Sequence, residues 1–104
     1  MVFGLDLSGR MAVVTGAGGI LCGMFARTLA QAGASVALLD INLETAERTA
    51  REIRAQGGNA AAYEVDVMDK DRLEGVHARV LADLGPCDIL INGAGGNQAC
   101  ANTS

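Results

Sequence analysis

Four short apolar runs, at 12–15 (AVVT), 36–40 (VALLD), 60–66 (AAAYEVD) and 88–92 (DILIN), recur at nearly even intervals along this chain of 104 residues. An amphipathic helical pattern fills each gap between them. The runs are apolar throughout rather than alternating, which is the pattern of strands covered on both faces of a parallel sheet. Strand and helix in regular alternation make βαβ units, and each crossover then returns right-handed. The expectation is an α/β fold with a parallel sheet in the order 3-2-1-4, one half of a doubly wound architecture.

Start and stop signals bound the helices. The first pattern places Leu21, Phe25, Leu29 and Ala32 on one face and stops at Gly33. The second is capped by Asn42, groups Leu43, Ala46, Ala50 and Ile53, and ends before Gly57 and Gly58. The third starts near Asp69, aligns Leu73, Val76, Val80 and Leu84, and ends at Gly85 and Pro86. In this topology the first two helices cover one face of the sheet and the third crosses to the other. A single helix then faces four apolar strands, and Ile89, Leu90 and Ile91 form an apolar edge. A domain of this kind is expected to continue past Ser104.

Composition closes off whole classes of function. The net charge is −4 and Lys70 is the only lysine, so no basic patch exists to replace the counterions of nucleic acid or of an anionic membrane. No apolar run approaches the ~20 residues of a membrane helix, and no signal-peptide pattern opens the chain. The reading is a soluble cytoplasmic protein. With Phe3, Phe25 and Tyr63 the only aromatics, the core must be built from Ala, Val, Leu and Ile. Cys22, Cys87 and Cys100 lack metal-ligand spacing and His77 is the only histidine. No metal site is expected, and the three thiols read as reduced and structural.

Chemistry enters at residues 15–26, TGAGGILCGMFA, where Gly16, Gly18, Gly19 and Gly23 follow the first strand. Glycines at this place let the backbone approach a pyrophosphate, which then sits on the amides of the next helix. The G-x-G-x-x-G spacing fits Gly16 and Gly18 and fails at Leu21, so spacing alone leaves a flexible glycine turn open. Asp40, closing the second run, stands where an acid hydrogen-bonds the adenosine ribose hydroxyls. A cap or turn role is its alternative, weakened because Asn42 is the better cap. Neither 17–19 nor 41–43 offers a base, so a 2′-phosphate would meet Asp40 unanswered, which favours NAD over NADP.

Taken together, FGLDLSGRMAVVTGAGG, GASVALLD, YEVDVMD and DILINGAGG resemble the short-chain dehydrogenase/reductase family, in order and over essentially the whole chain. The resemblance implies a Rossmann-type fold and an NAD(P)-dependent oxidoreductase that moves hydride between a nicotinamide and a hydroxyl or carbonyl substrate. It also implies a small-molecule substrate and a homo-oligomer in the intact protein. Thr15 and Gly16 would begin the pyrophosphate loop, with Gly18 and Gly19 inside it and Ile20 and Leu21 at its exit. Asp40, with Ile41 beside it, would take the adenosine ribose, and Asp66 and Val67 would meet the adenine edge. Asn92, Ala94 and Gly95 fall on the family's N-N-A-G element. The departures are Ile20 and Cys22 where the family loop has glycines, and Gly93 at the second place of N-N-A-G. Gly18, Gly19 and Gly23 would take over in a shifted loop. GGILCGMFA together with INGAGGNQACANT resembles a branch of sugar-acid dehydrogenases acting on substrates such as D-mannonate.

The family's chemistry rests on a Tyr-x-x-x-Lys pair with a Ser before it. Here Tyr63 lies within a predicted strand, where its reading is packing, and is followed four residues later by Val67; Lys70 opens a helix, and Ser104 belongs to no such motif. No residue is therefore named as catalytic. Residues 1–104 read as the N-terminal, cofactor-binding portion of an oxidoreductase. Two alternatives stand beside that reading: a non-catalytic dinucleotide-binding or regulatory module, and a scaffold whose loop has lost the cofactor.

Overall fold

The computed structural model describes residues 6–16, 20–66 and 68–92. The element order is β1 (Met11–Thr15), α1 (Ile20–Gln31), β2 (Ser35–Asp40), α2 (Leu43–Ala55), β3 (Asn59–Glu64), α3 (Lys70–Leu84) and β4 (Ile89–Asn92). All strand pairings are parallel and the sheet order is β3-β2-β1-β4, as the crossover rule requires. In register, Thr15 pairs with Leu39 and with Asn92, while Asp40 pairs with Glu64. The carboxyl ends of the strands are thus level along one rim.

Period-two alternation splits the strand residues between two cores. Val14, Val36, Leu38 and Ala60 point to the face where Ala26 of α1 and Ala46, Ala50 and Ile53 of α2 pack. Met11, Val13, Ala37, Leu39 and Tyr63 point to the opposite face, against Val76 and Val80 of α3. The helices therefore divide two to one, as expected.

Within the helices the sequence reading needs correction. Leu29 packs on the core and Ala32 is buried as expected, but Leu21 and Phe25 are exposed, and Ala26, Cys22 and Ala30 pack in their place. Apolar residues run all round α1, so periodicity does not single out its buried face; close approach to the strands selects the smaller side chains. Leu43 is also exposed, and Thr49 joins the buried stripe of α2. On α3 the expected stripe holds, with Val76 and Val80 buried and Leu73 and Leu84 packed beside them.

The caps explain the boundaries. Asn42 Oδ1 accepts from the amides of Glu44 and Thr45 at 3.0 and 3.4 Å, and Asp69 Oδ1 accepts from Arg72 N–H at 3.2 Å. The third strand is shorter than the run 60–66, because Val65 makes one last ladder bond, from its N–H to the Asp40 carbonyl, before the chain turns. At the opposite rim Asp88 clamps β1 to β4: its carboxylate accepts from Met11 N–H at 2.9 Å, and its own N–H donates to the Met11 carbonyl at 2.8 Å. Cys22 is a free thiol, and Cys100 lies outside the described residues. Among the described residues no helix is long and apolar enough to cross a membrane, and no group of three or more His, Cys, Asp or Glu is placed to hold a metal.

Candidate functional site

At the carboxyl rim β1 ends in Thr15, which is buried, with Oγ1 3.5 Å from the Ile91 carbonyl. The threonine thus braces β1 against β4 from within the sheet. The next residue, Gly16, has φ +69°, in the left-handed region that disfavours any side chain. The chain therefore leaves β1 by a turn that glycine permits, and α1 begins at Ile20.

The ends of β2 and β3 share one device. Asp40 Oδ1 accepts from Asn42 N–H at 2.8 Å, and Asp66 Oδ1 accepts from Met68 N–H at 2.9 Å. Each is an aspartate accepting the amide two residues on, a local turn that competes with further strand. The Asp66 carbonyl then accepts from Asp69 N–H at 2.8 Å, which delivers the chain to the cap of α3.

Between these turns lies a cleft of about 180 Å³ lined by Gly16, Leu39, Asp40, Ile41, Val65, Asp66 and Met68. Four residues expected to bind cofactor, Gly16, Asp40, Ile41 and Asp66, thus meet in one place. The lining joins an apolar floor, with Leu39 and Val65 buried, to rims where Ile41 is 68% and Met68 81% exposed. Its charged groups are two carboxylates, with no cationic side chain among the described lining residues.

The remaining expected residues distribute as follows. Leu21 is exposed on α1 and is not part of the cleft lining. Ile20 opens α1, and Asn92 closes β4 level with Thr15. Gly23 sits in the first turn of α1 rather than in the loop. Gly18, Gly19, Val67, Ala94 and Gly95 lie outside the described residues. Sequence reasoning missed Leu39, Val65 and Met68 as lining residues. The signal for Met68 was present as two Asp-x-x turns, Asp40-Ile41-Asn42 and Asp66-Val67-Met68, each closing an apolar run.

Tyr63 belongs to the sheet and not to the cleft. It is buried, its hydroxyl donates to Asp83 of α3 at 2.7 Å, and the Arg79 guanidinium lies 5.3 Å from its ring centroid. Burial, reinforced by the Asp83 carboxylate, pushes its phenol up to about 12. A phenol held in that way packs β3 on α3 and is not poised to exchange protons near neutrality.

Residues 10–104 match the family model described as short chain dehydrogenase. An oxidoreductase of Haemophilus influenzae is 45% identical over 98 residues, covering 94% of this chain and 34% of its own. Among solved structures, a putative D-mannonate oxidoreductase from Haemophilus with bound NAD superposes with TM-score 0.85 at 44% identity, over 91% of this chain and 34% of its own. A metagenomic short-chain oxidoreductase in complex with NADP superposes with TM-score 0.80 at 40% identity, over 86% of this chain and 41% of its own. The chain belongs to the short-chain dehydrogenase family. It spans about a third of the length of the Haemophilus oxidoreductase.

Proposed function

We propose that the protein is an NAD-dependent oxidoreductase transferring hydride between the nicotinamide and a hydroxyl or carbonyl substrate, and that residues 1–104 supply its cofactor-binding portion. The observation that carries this reading is the cleft at the carboxyl rim, which gathers Gly16, Asp40, Ile41 and Asp66. Open α/β sheets bind ligands in just that position. The residues fit the group. The lining is apolar at its floor for a base, acidic at Asp40 for ribose hydroxyls, and free of a side chain at Gly16 where phosphate must pass. Its volume falls below the ~300 Å³ of a site that engulfs a drug-sized ligand, so it suits the adenosine end and not the whole dinucleotide.

When bound, the cofactor supplies the hydride acceptor or donor. This chain's part is to bind and orient it. Asp40 accepts from the ribose hydroxyls, and the absence of a cation in the described lining disfavours a 2′-phosphate, which supports NAD over NADP. The substrate is proposed to be a sugar acid of the D-mannonate kind, supported by the name of the Haemophilus structure. Asp40→Ala in the intact protein is expected to weaken NAD binding by ~1–3 kcal/mol and to narrow the NAD-over-NADP preference, measured by calorimetric titration. Unchanged affinity for both cofactors would reduce Asp40 to a turn residue and remove the support for this reading.

A second reading, which the sequence leaves open, is a non-catalytic dinucleotide-binding module. Saturable NAD binding without turnover of any hydroxy acid by the intact protein would select it.

A further inference from the structure

Asp40 does not stand alone at the cleft. Its Oδ1 is bonded to Asn42 N–H at 2.8 Å, and every other hydrogen-bonding atom of Asn42 that accepts is committed to the start of α2. Asn42 Oδ1 accepts from Glu44 N–H and Thr45 N–H, and its carbonyl accepts from Thr45 Oγ1 at 3.0 Å and from Ala46 N–H at 3.3 Å. On its other side Asp40 is tied to β3 by its carbonyl, which accepts from Val65 N–H at 3.0 Å. The carboxylate is therefore suspended between a strand and a helix cap.

We infer that Asn42 is a positioning residue for cofactor binding: the side chain that caps α2 also fixes the amide that aims Asp40 into the cleft. The inference rests on the cofactor reading above. The physical basis is a short covalent and hydrogen-bonded chain. Without the cap, the first turn of α2 frays and the φ and ψ of Asn42 are no longer held at −105° and 99°. Its N–H then loses its fixed direction, and the hydrogen bond it gives to the Asp40 carboxylate no longer helps to hold that group in the orientation a ribose meets. Ile41, the central residue of this turn, is presented over the cleft by the same bracket.

The test is a double-mutant cycle in the intact protein, read as the NAD dissociation constant by calorimetry, with NADP titrated in parallel. Asn42→Ala is expected to weaken NAD binding about three- to tenfold, the scale of re-ordering one side chain on binding. Asn42→Ser, which keeps a capping oxygen, should restore most of it. In the Asp40→Ala background, Asn42→Ala should add no further loss, because its effect passes through that carboxylate. Melting curves show that each variant is folded at the titration temperature, and Asn42→Ser keeps the test valid should the alanine variant not be. If Asp40→Ala weakens binding while Asn42→Ala leaves the affinity unchanged, or if the two losses add, the inference falls and the cofactor reading stands. If Asp40→Ala has no effect, both fall.

Discussion

At Tyr63 the sequence offered a single tyrosine in a family whose chemistry uses one, and strand context had to decide its role. The structure sets the phenol against Asp83 and under Arg79, with its proton held up to about pH 12 by burial and by the carboxylate. The unfolded chain's phenol titrates near its ordinary value of 10, so the folded state retains the proton more tightly. That contribution is whole below pH 10 and is lost as the pH rises through about 12. Tyr63→Phe is expected to cost about 1 kcal/mol at pH 8 by deleting the bond to Asp83, and the gap to the native protein should shrink by pH 11. Urea unfolding at the two pH values checks it, and a gap that does not narrow would mean that the phenol titrates alike in the folded and unfolded chain. The packing role was legible because Tyr63 lies within an apolar run. Its partner was not, because Asp83 is brought near only by the β3–α3 crossover. Asp40 shows a different limit: the sequence posed turn and cofactor roles as rivals, while the structure gives it a turn hydrogen bond and a place in the cleft lining at once.

At the scale of elements, caps and stops were the most legible features, since they depend on a few local residues. Asn42, Asp69, Gly33 and Gly85 all stand where helices begin or end. The buried face of α1 was not legible, because Leu21, Met24 and Phe25 offer as much apolar surface as the residues that pack. Only the distance to the sheet, a tertiary quantity, selects Ala26 and Cys22. The stop after α1 also carries a contact invisible in the sequence. The segment before β1 lies against it, with Leu7 N–H donating to the Ala32 carbonyl at 2.7 Å. A Cβ on Gly33 would come within 2.9 Å of Ser8 Oγ and 3.1 Å of Ser8 N, at a φ of +106°. Gly33→Ala should therefore destabilise by roughly 1–3 kcal/mol. Gly57→Ala, also at positive φ but with nothing within 4 Å, should cost less. Chemical denaturation of the two variants decides it, and equal losses would show that backbone strain alone acts and that the Ser8 contact is soft.

For the whole molecule, strand order followed from crossover handedness, so 3-2-1-4 was legible before any packing was known. The site was legible as a place, the carboxyl rim, and only in part as a set of residues, because Leu39, Val65 and Met68 are assembled by register and not by motif. The two cores have a further consequence for how the molecule opens. β1 and β2 are each paired on both sides, and the middle four residues of β2 are fully buried between the two helix layers. Among the described residues β3 is paired on one side only, and its small residues Ala61 and Ala62 are half-buried. Local opening that releases β3 breaks one ladder and leaves the central pair intact, whereas exposing β2 requires loss of both cores. Hydrogen exchange should therefore be slowest at the amides of β1 and β2, with β3 exchanging measurably faster. Because Asp40 and Val65 bridge those same two strands, NAD binding should slow exchange in β3 more than in β1. Exchange in β3 as slow as in β2 without cofactor would show that the sheet opens as one unit and that the edge position of β3 confers no local freedom.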